Sequence, residues 1–188
     1  MKILHRFRRQ APNDPASLLY QALAAQSRRP EFYVAAGVPD SLDGRFDLLV
    51  LHVILLLRRL KGEGAAGRAL GQAIFDIMVA DFDRAVRELG VGDVGVGKRI
   101  KAMISAFYGR LAAYDAALAE ADDATLQAAL RRNVYGTVKA GIDAAWLGAL
   151  SAYVRRAAEG LARQDGAALI GGMIDFAPPP EDANRAFA

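Results

Sequence analysis

Cysteine is absent from the 188 residues, which excludes disulfides, thiolate metal sites and cysteine nucleophiles together. A thiol-free chain suits a reducing compartment, so the cytoplasm is the default expectation. Histidine is nearly absent: His5 and His52 are the only two, too few for the usual zinc sites, and no Glu-x-x-His pair suggests a di-iron bundle. With no Gly-x-Ser-x-Gly elbow and no histidine placed to serve one, catalysis has no visible home, and a non-enzyme without metal or cofactor is expected. Also lacking are an apolar run of about 20 residues that could span a bilayer, a secretory signal pattern and any strand-like alternation. A large excess of one charge is missing too: 24 Lys+Arg face 21 Asp+Glu, a net +3, too balanced for a dedicated nucleic-acid binder, and no specific DNA binding is expected.

What is present is apolar surface at helical spacing. Hydrophobic residues make up 53% of the chain, and a mean hydropathy of +0.13 hints at a partner surface. Asp14 before Pro15 is a good helix start, and the helix should run to about Arg28 with Leu18, Leu19, Ala22 and Leu23 inward. Pro30 and the Gly37–Asp40 stretch interrupt the chain around one loose turn, Tyr33 to Ala36. From about Ser41 to Arg59 lies the most informative segment. Leu48 to Leu57 reads LLVLHVILLL, and Phe46, Leu49, Val50, Val53, Leu57 and Leu60 keep helical spacing. Leaving four of these aliphatics in water would forgo about 6 to 12 kcal/mol, as much as a whole domain's stability. This helix is therefore expected at the centre of the fold. His52 within it could ligate haem, but a hydrogen-bonded core histidine is the plainer reading.

Further helices are expected over about Ala66–Leu89, after a Lys61–Gly64 breaker, and over Val96–Glu120, after the glycines at 90, 92 and 95. Shorter and longer ones follow over Asp122–Asn133 and Val138–Arg163, the last with Ile142, Trp146, Leu150, Tyr153 and Leu161 inward. In the second of these, Ala102, Ala106, Gly109 and Ala113 form a small-residue ridge along which another helix could approach. The whole reads as one all-α domain of about six or seven helices. It should span 14–176, between a basic arm at 1–13 and a Pro-rich extended or mobile tail at 177–188. The arm interleaves Lys2, Arg6, Arg8 and Arg9 with Ile3, Leu4 and Phe7, a pattern fit for an anionic membrane or a ribosomal surface and also for a plain disordered arm. A short organellar presequence is compatible with it. Gly92 to Gly97 followed by Lys98 has phosphate-loop spacing, but Arg99 replaces the metal-holding hydroxyl and a helix precedes it, so nucleotide binding is not expected. Arg58, Arg59, Asp81, Asp93, Lys98 and Arg110 are explained singly by solvated faces or salt bridges; collectively they suit the rim of an apolar groove.

Three segments carry a resemblance to a known family: VPDSLDGRFDLLVLHVILLLRRL from Val38 to Leu60, FDIMVADFDRAVRELGVGDVGVG from Phe75 to Gly97, and KRIKAMISAFYGRLAAYDAAL from Lys98 to Leu118. With the weaker LRRNVY at Leu130 to Tyr135, the chain resembles the ubiquinol-cytochrome c chaperone family over roughly Tyr33 to Tyr135. Ser41 stands where that family carries Thr, and both residue types can hydrogen-bond locally. The resemblance implies a non-catalytic helical assembly chaperone that binds newly made cytochrome b during biogenesis of the ubiquinol-cytochrome c reductase, near ribosomes or an inner-membrane surface, in the mitochondrial matrix if the source is eukaryotic. It also implies client or partner contacts at Arg58, Arg59, Asp81, Arg84, Gly92, Asp93, Lys98, Phe107, Tyr108 and Arg110. The alternative is a basic ribosome- or RNA-associated helical module using the arm, Arg28, Arg29 and the Lys98, Arg99, Lys101 cluster. Nothing in the pattern sets an oligomeric state.

Overall fold

The computed structural model describes residues 14–139 and 141–181. The basic arm at 1–13 and the end of the Pro-rich tail, 182–188, lie outside the described residues. Among those described there are helices and no strands: α1 (Pro15–Ser27), α2 (Glu31–Val34), α3 (Leu42–Leu60), α4 (Gly64–Glu88), α5 (Asp93–Ala119), α6 (Ala124–Asn133), α7 (Ala144–Arg163) and α8 (Gly166–Ile170). Six of these are long, as the periodicity predicts. The starts follow local chemistry: Asp14 Oδ1 accepts from the Ser17 N–H at 3.0 Å, and Ser41 Oγ from the Gly44 N–H at 3.2 Å, so each cap satisfies an otherwise orphan donor.

The apolar run is the centre of the molecule. Every residue from Val50 to Leu56 is at most 2% exposed, because α1, α4, α5 and α7 pack around α3. A helix that is apolar on all sides is stable in water only when it is enclosed on all sides. The expected breaker does separate α3 from α4, but it is shorter than the spacing suggests. Lys61–Glu63 form a single 3-10 turn, and α4 starts at once from Gly64, whose φ of +61° favours glycine. At Gly67 a Cβ would sit 2.2 Å from the Leu60 carbonyl oxygen, so the missing side chain lets α4 cross the end of α3 at close range.

Other boundaries shift for identifiable reasons. α5 begins at Asp93, three residues earlier than expected, and takes Gly95 and Gly97 into its first turns, where buried Val96 ties the segment down. α7 begins only at Ala144, capped by Asp143, whose carboxylate accepts from the Ala145 N–H at 2.8 Å. Trp146, expected inward, is 39% exposed and lies across the Gly37 backbone, where an added Cβ would meet the indole at 2.2 Å. Leu18 is likewise exposed; α1 instead buries Ala16, Leu19, Tyr20, Leu23, Gln26 and Ser27.

His52 is a core histidine, 1% exposed. Its Nδ1 lies 2.7 Å from the Leu48 carbonyl, which can only accept, so Nδ1 carries the proton and Nε2 accepts from the Tyr153 hydroxyl at 2.7 Å. Gln26 Nε2 donates to the same hydroxyl at 3.1 Å and lies 3.3 Å from the Ala177 carbonyl. Burial lowers the imidazole pKa to about 4, which keeps it neutral. The ring of Phe176 meets His52 edge-on at 5.9 Å. Gln164 holds the same C-terminal segment by its amide, donating to the Asp175 carbonyl at 2.7 Å and accepting from the Asp175 N–H at 3.0 Å. Residues 177–180 therefore begin the Pro-rich stretch against the helices, with Pro179 and Pro180 buried.

Candidate functional site

The α4–α5 hairpin carries most of the sequence-predicted contact residues. Its turn uses Gly90 at φ +77°, a left-handed C-terminal residue after α4. Gly92 is the N-cap of α5 at an ordinary φ of −66°. Across the turn Arg87 Nε reaches Asp83 at 2.7 Å and Nη1 reaches Asp93 at 2.6 Å, so Asp93, well placed beside the positive end of α5, also fastens the two helices. Further along, Phe75 of α4 meets the Phe107 ring at 5.0 Å and the Tyr108 ring at 5.9 Å. Phe107 is in the core, whereas Tyr108 is 55% exposed.

The remaining expected residues disperse. The Asp81 carboxylate accepts the Tyr20 hydroxyl at 2.9 Å and lies 3.8 Å from Arg84 Nη1, which is otherwise solvated. Arg59 is committed to structure: Nε and Nη2 each donate at 2.9 Å, to the Leu161 and Gln164 carbonyls at the end of α7, and Nη1 pairs with Glu63. Arg58 Nη1 approaches Asp115 Oδ1 at 3.4 Å. Arg110 Nη2 donates to Asp47 Oδ1 at 2.7 Å between α5 and α3. Burial pushes the Asp47 carboxyl up to about 7 against the opposing pull of Arg110, and Asp43 adds to the rise. Arg110 Nε is buried with no hydrogen-bond partner. Lys98 is exposed on the first turns of α5.

The ten residues therefore do not form one site. Phe107 serves the core, Arg59 closes the end of α7, and Arg110 and Asp93 hold α5 to its neighbours; Tyr108 and Lys98 project outward. What sequence reasoning only half recognised is the outer face of α5. Of its 27 residues only Val96, Met103, Phe107, Tyr114 and Ala117 are buried, fewer than one per turn. Ala102, Ala106, Gly109, Ala112 and Ala116, three or four residues apart, are all exposed, with Tyr108 beside them. Ala113, expected on this ridge, instead packs against the core. A Cβ added at Gly109 would meet nothing within 4 Å, so the ridge is uncovered along its length.

Similarity to known proteins agrees with this topology. The family model described as ubiquinol-cytochrome C chaperone matches residues 34–176, which extends the resemblance through α7 and α8. A Xenopus laevis protein named ubiquinol-cytochrome-c reductase complex assembly factor 1 is 32% identical over 140 residues, covering 74% of this chain and 68% of that one. The Homo sapiens protein of that name is 28% identical over 161 residues, and this chain spans 53% of its length. The crystal structure of the Cbp3 homolog from Brucella abortus superposes with a TM-score of 0.78 at 39% identity, covering 87% of this chain and 89% of that one.

Proposed function

The chain belongs to the ubiquinol-cytochrome C chaperone family, and on that premise we propose that it is a non-catalytic assembly chaperone which holds newly made cytochrome b for the ubiquinol-cytochrome c reductase. The observation that carries this reading is the uncovered ridge of α5. A membrane-destined client is a set of apolar helices, and such helices associate through small residues that let two backbones approach. Ala102, Ala106, Gly109 and Ala112 offer that surface, with Tyr108 beside them as an aromatic anchor and Lys98, Arg99 and Lys101 toward one end as a cationic rim. Among the described residues no helix is long and apolar enough to cross a membrane itself. In this reading the helical unit of 14–176 is the functional body, and of the ten family-implied residues Tyr108 and Lys98 make direct client contact.

The test uses Gly109→Leu. The open space at that position leaves folding intact, while the added side chain keeps a second helix away. Cytochrome b recovered with the affinity-purified protein should fall by about tenfold, the effect of roughly 1.4 kcal/mol, with a thermal midpoint no lower than that of the parent, since leucine favours a helix interior over glycine. Undiminished recovery would remove the ridge from the argument, and capture of ribosomal RNA in place of a respiratory subunit, lost steeply with salt, would favour the basic-module reading instead.

A further inference from the structure

Away from the α5 ridge, where the end of α3 meets α5 and α7, the surface opens into a cleft of about 630 Å³. That volume lies within the range of small-ligand pockets. Ala158 and Ala162 give it apolar walls over a floor of nearly buried Leu55; Arg58, Lys61 and Asp115 give it charge. Arg59, also on its edge, is already spent on two carbonyls and Glu63. Asp115 is the one carboxylate in the lining, and it is shared. Lys61 Nζ pairs with its Oδ2, while Arg58 reaches Oδ1 with a single nitrogen at 3.4 Å, long for a charge-assisted bond. Arg58 makes no other hydrogen bond among the described residues. Two cations thus face one acid, and the guanidinium retains most of its donors beside an apolar wall.

We propose that this cleft is a binding site for an organic phosphate carrying an apolar group, its phosphate taken by Arg58 and Lys61 and its apolar part laid against Ala158 and Ala162. A planar guanidinium matches two phosphate oxygens, and the flexible ammonium adds a point charge. A bare inorganic anion would use the cations and leave the walls idle, which is why the ligand is amphiphilic. Asp115 acts as the competing internal anion: it holds the two cations in place when the cleft is empty and weakens the ligand's grip when it is filled. The proposal is independent of the client-binding reading, since it concerns a different face and different residues.

The probe is dihexanoyl phosphatidylglycerol below its micelle concentration, titrated by calorimetry into the full chain, with dihexanoyl phosphatidylcholine and inorganic phosphate alongside. Saturable one-to-one binding of the glycerol lipid is expected, with both controls about tenfold weaker or more. Arg58→Gln and Lys61→Gln should each weaken it by about tenfold, the value of a lost charge-assisted contact. Asp115→Asn should change it in the opposite direction and tighten binding several-fold. Because Arg58 and Lys61 are partly solvated, with 35% and 56% of their side-chain surface exposed, their replacement should leave the thermal midpoint in place. Flotation with phosphatidylglycerol vesicles separates the two sources of such a ligand: dependence on Arg58 and Lys61 identifies a bilayer headgroup, and flotation indifferent to them, with soluble binding retained, identifies a free phosphate ester. The proposal is overturned if inorganic phosphate binds as tightly as the lipid, if the Arg58 and Lys61 variants bind normally, or if Asp115→Asn weakens the complex.

Discussion

Two polar positions on the same buried helix are handled in opposite ways. At His52, three side chains from α1, α3 and α7 form a chain in which each donor has an acceptor: Gln26 to Tyr153, Tyr153 to His52, His52 to the Leu48 carbonyl. The group is neutral and dry, and it joins three elements. At Asp47, little more than a turn earlier, a carboxylate and a guanidinium meet at 2.7 Å, but Arg110 Nε goes unmatched. Hydrogen bonds between neutral partners can close completely in a core, whereas an ion pair at its boundary retains part of its desolvation cost.

Removing the closed network should have the largest effect. His52→Ala leaves a cavity and strips the Tyr153 O–H of its acceptor, and should cost about 3 kcal/mol in urea unfolding. A loss below that of Arg110→Met would invert the comparison. Arg110→Met comes second at about 1 kcal/mol, since the side chain is 21% exposed and the stranded Asp47 can take up a proton. That loss should shrink when unfolding is repeated at acid pH. The smallest net effect is in the wild-type pH profile, where the two positions act with opposite sign and nearly cancel. Folding raises the Asp47 pKa from 3.8 to about 7, so the native state binds the extra proton and stability falls as pH rises through that window. His52 is lowered from 6.5 to about 4; there the unfolded state binds the extra proton, and stability falls as pH drops from about 6.5 toward 4. Wild-type stability should therefore be nearly flat over the shared range, while Asp47→Asn should expose the histidine as a clear decline on the acid side. Thermal midpoints at half-unit intervals would read it, and a profile unchanged by the substitution would show that Asp47 does not titrate there.

The helical class and the central place of Leu48–Leu57 were legible because ten residues with one polar member can satisfy water only by being enclosed. The start of α5 was not. Glycines at 90, 92 and 95 read as a reversal, since a glycine inside a helix costs about 1 kcal/mol relative to alanine, but burial of Val96 recruits the segment from Asp93 onward. Nor could spacing place the site. Periodicity groups Val96, Met103 and Phe107 on one side and Ala102, Ala106 and Gly109 on the other, but it does not say which side a neighbour covers. The family-implied residues mixed both: Phe107 and Tyr108 are adjacent in the chain and end up one in the core and one in water. The partners Asp47 and Asp115 left no sequence signal, because a carboxylate 63 or 57 positions from its cation has no local pattern.

The junction between α3 and α4 has a mechanical corollary. Only one tight turn separates Leu60 from Gly64, and Gly67 presses directly on the Leu60 carbonyl, so this connection has no slack. A change in the angle between the two helices would fall on the backbone of Gly64, the one residue of the turn at positive φ.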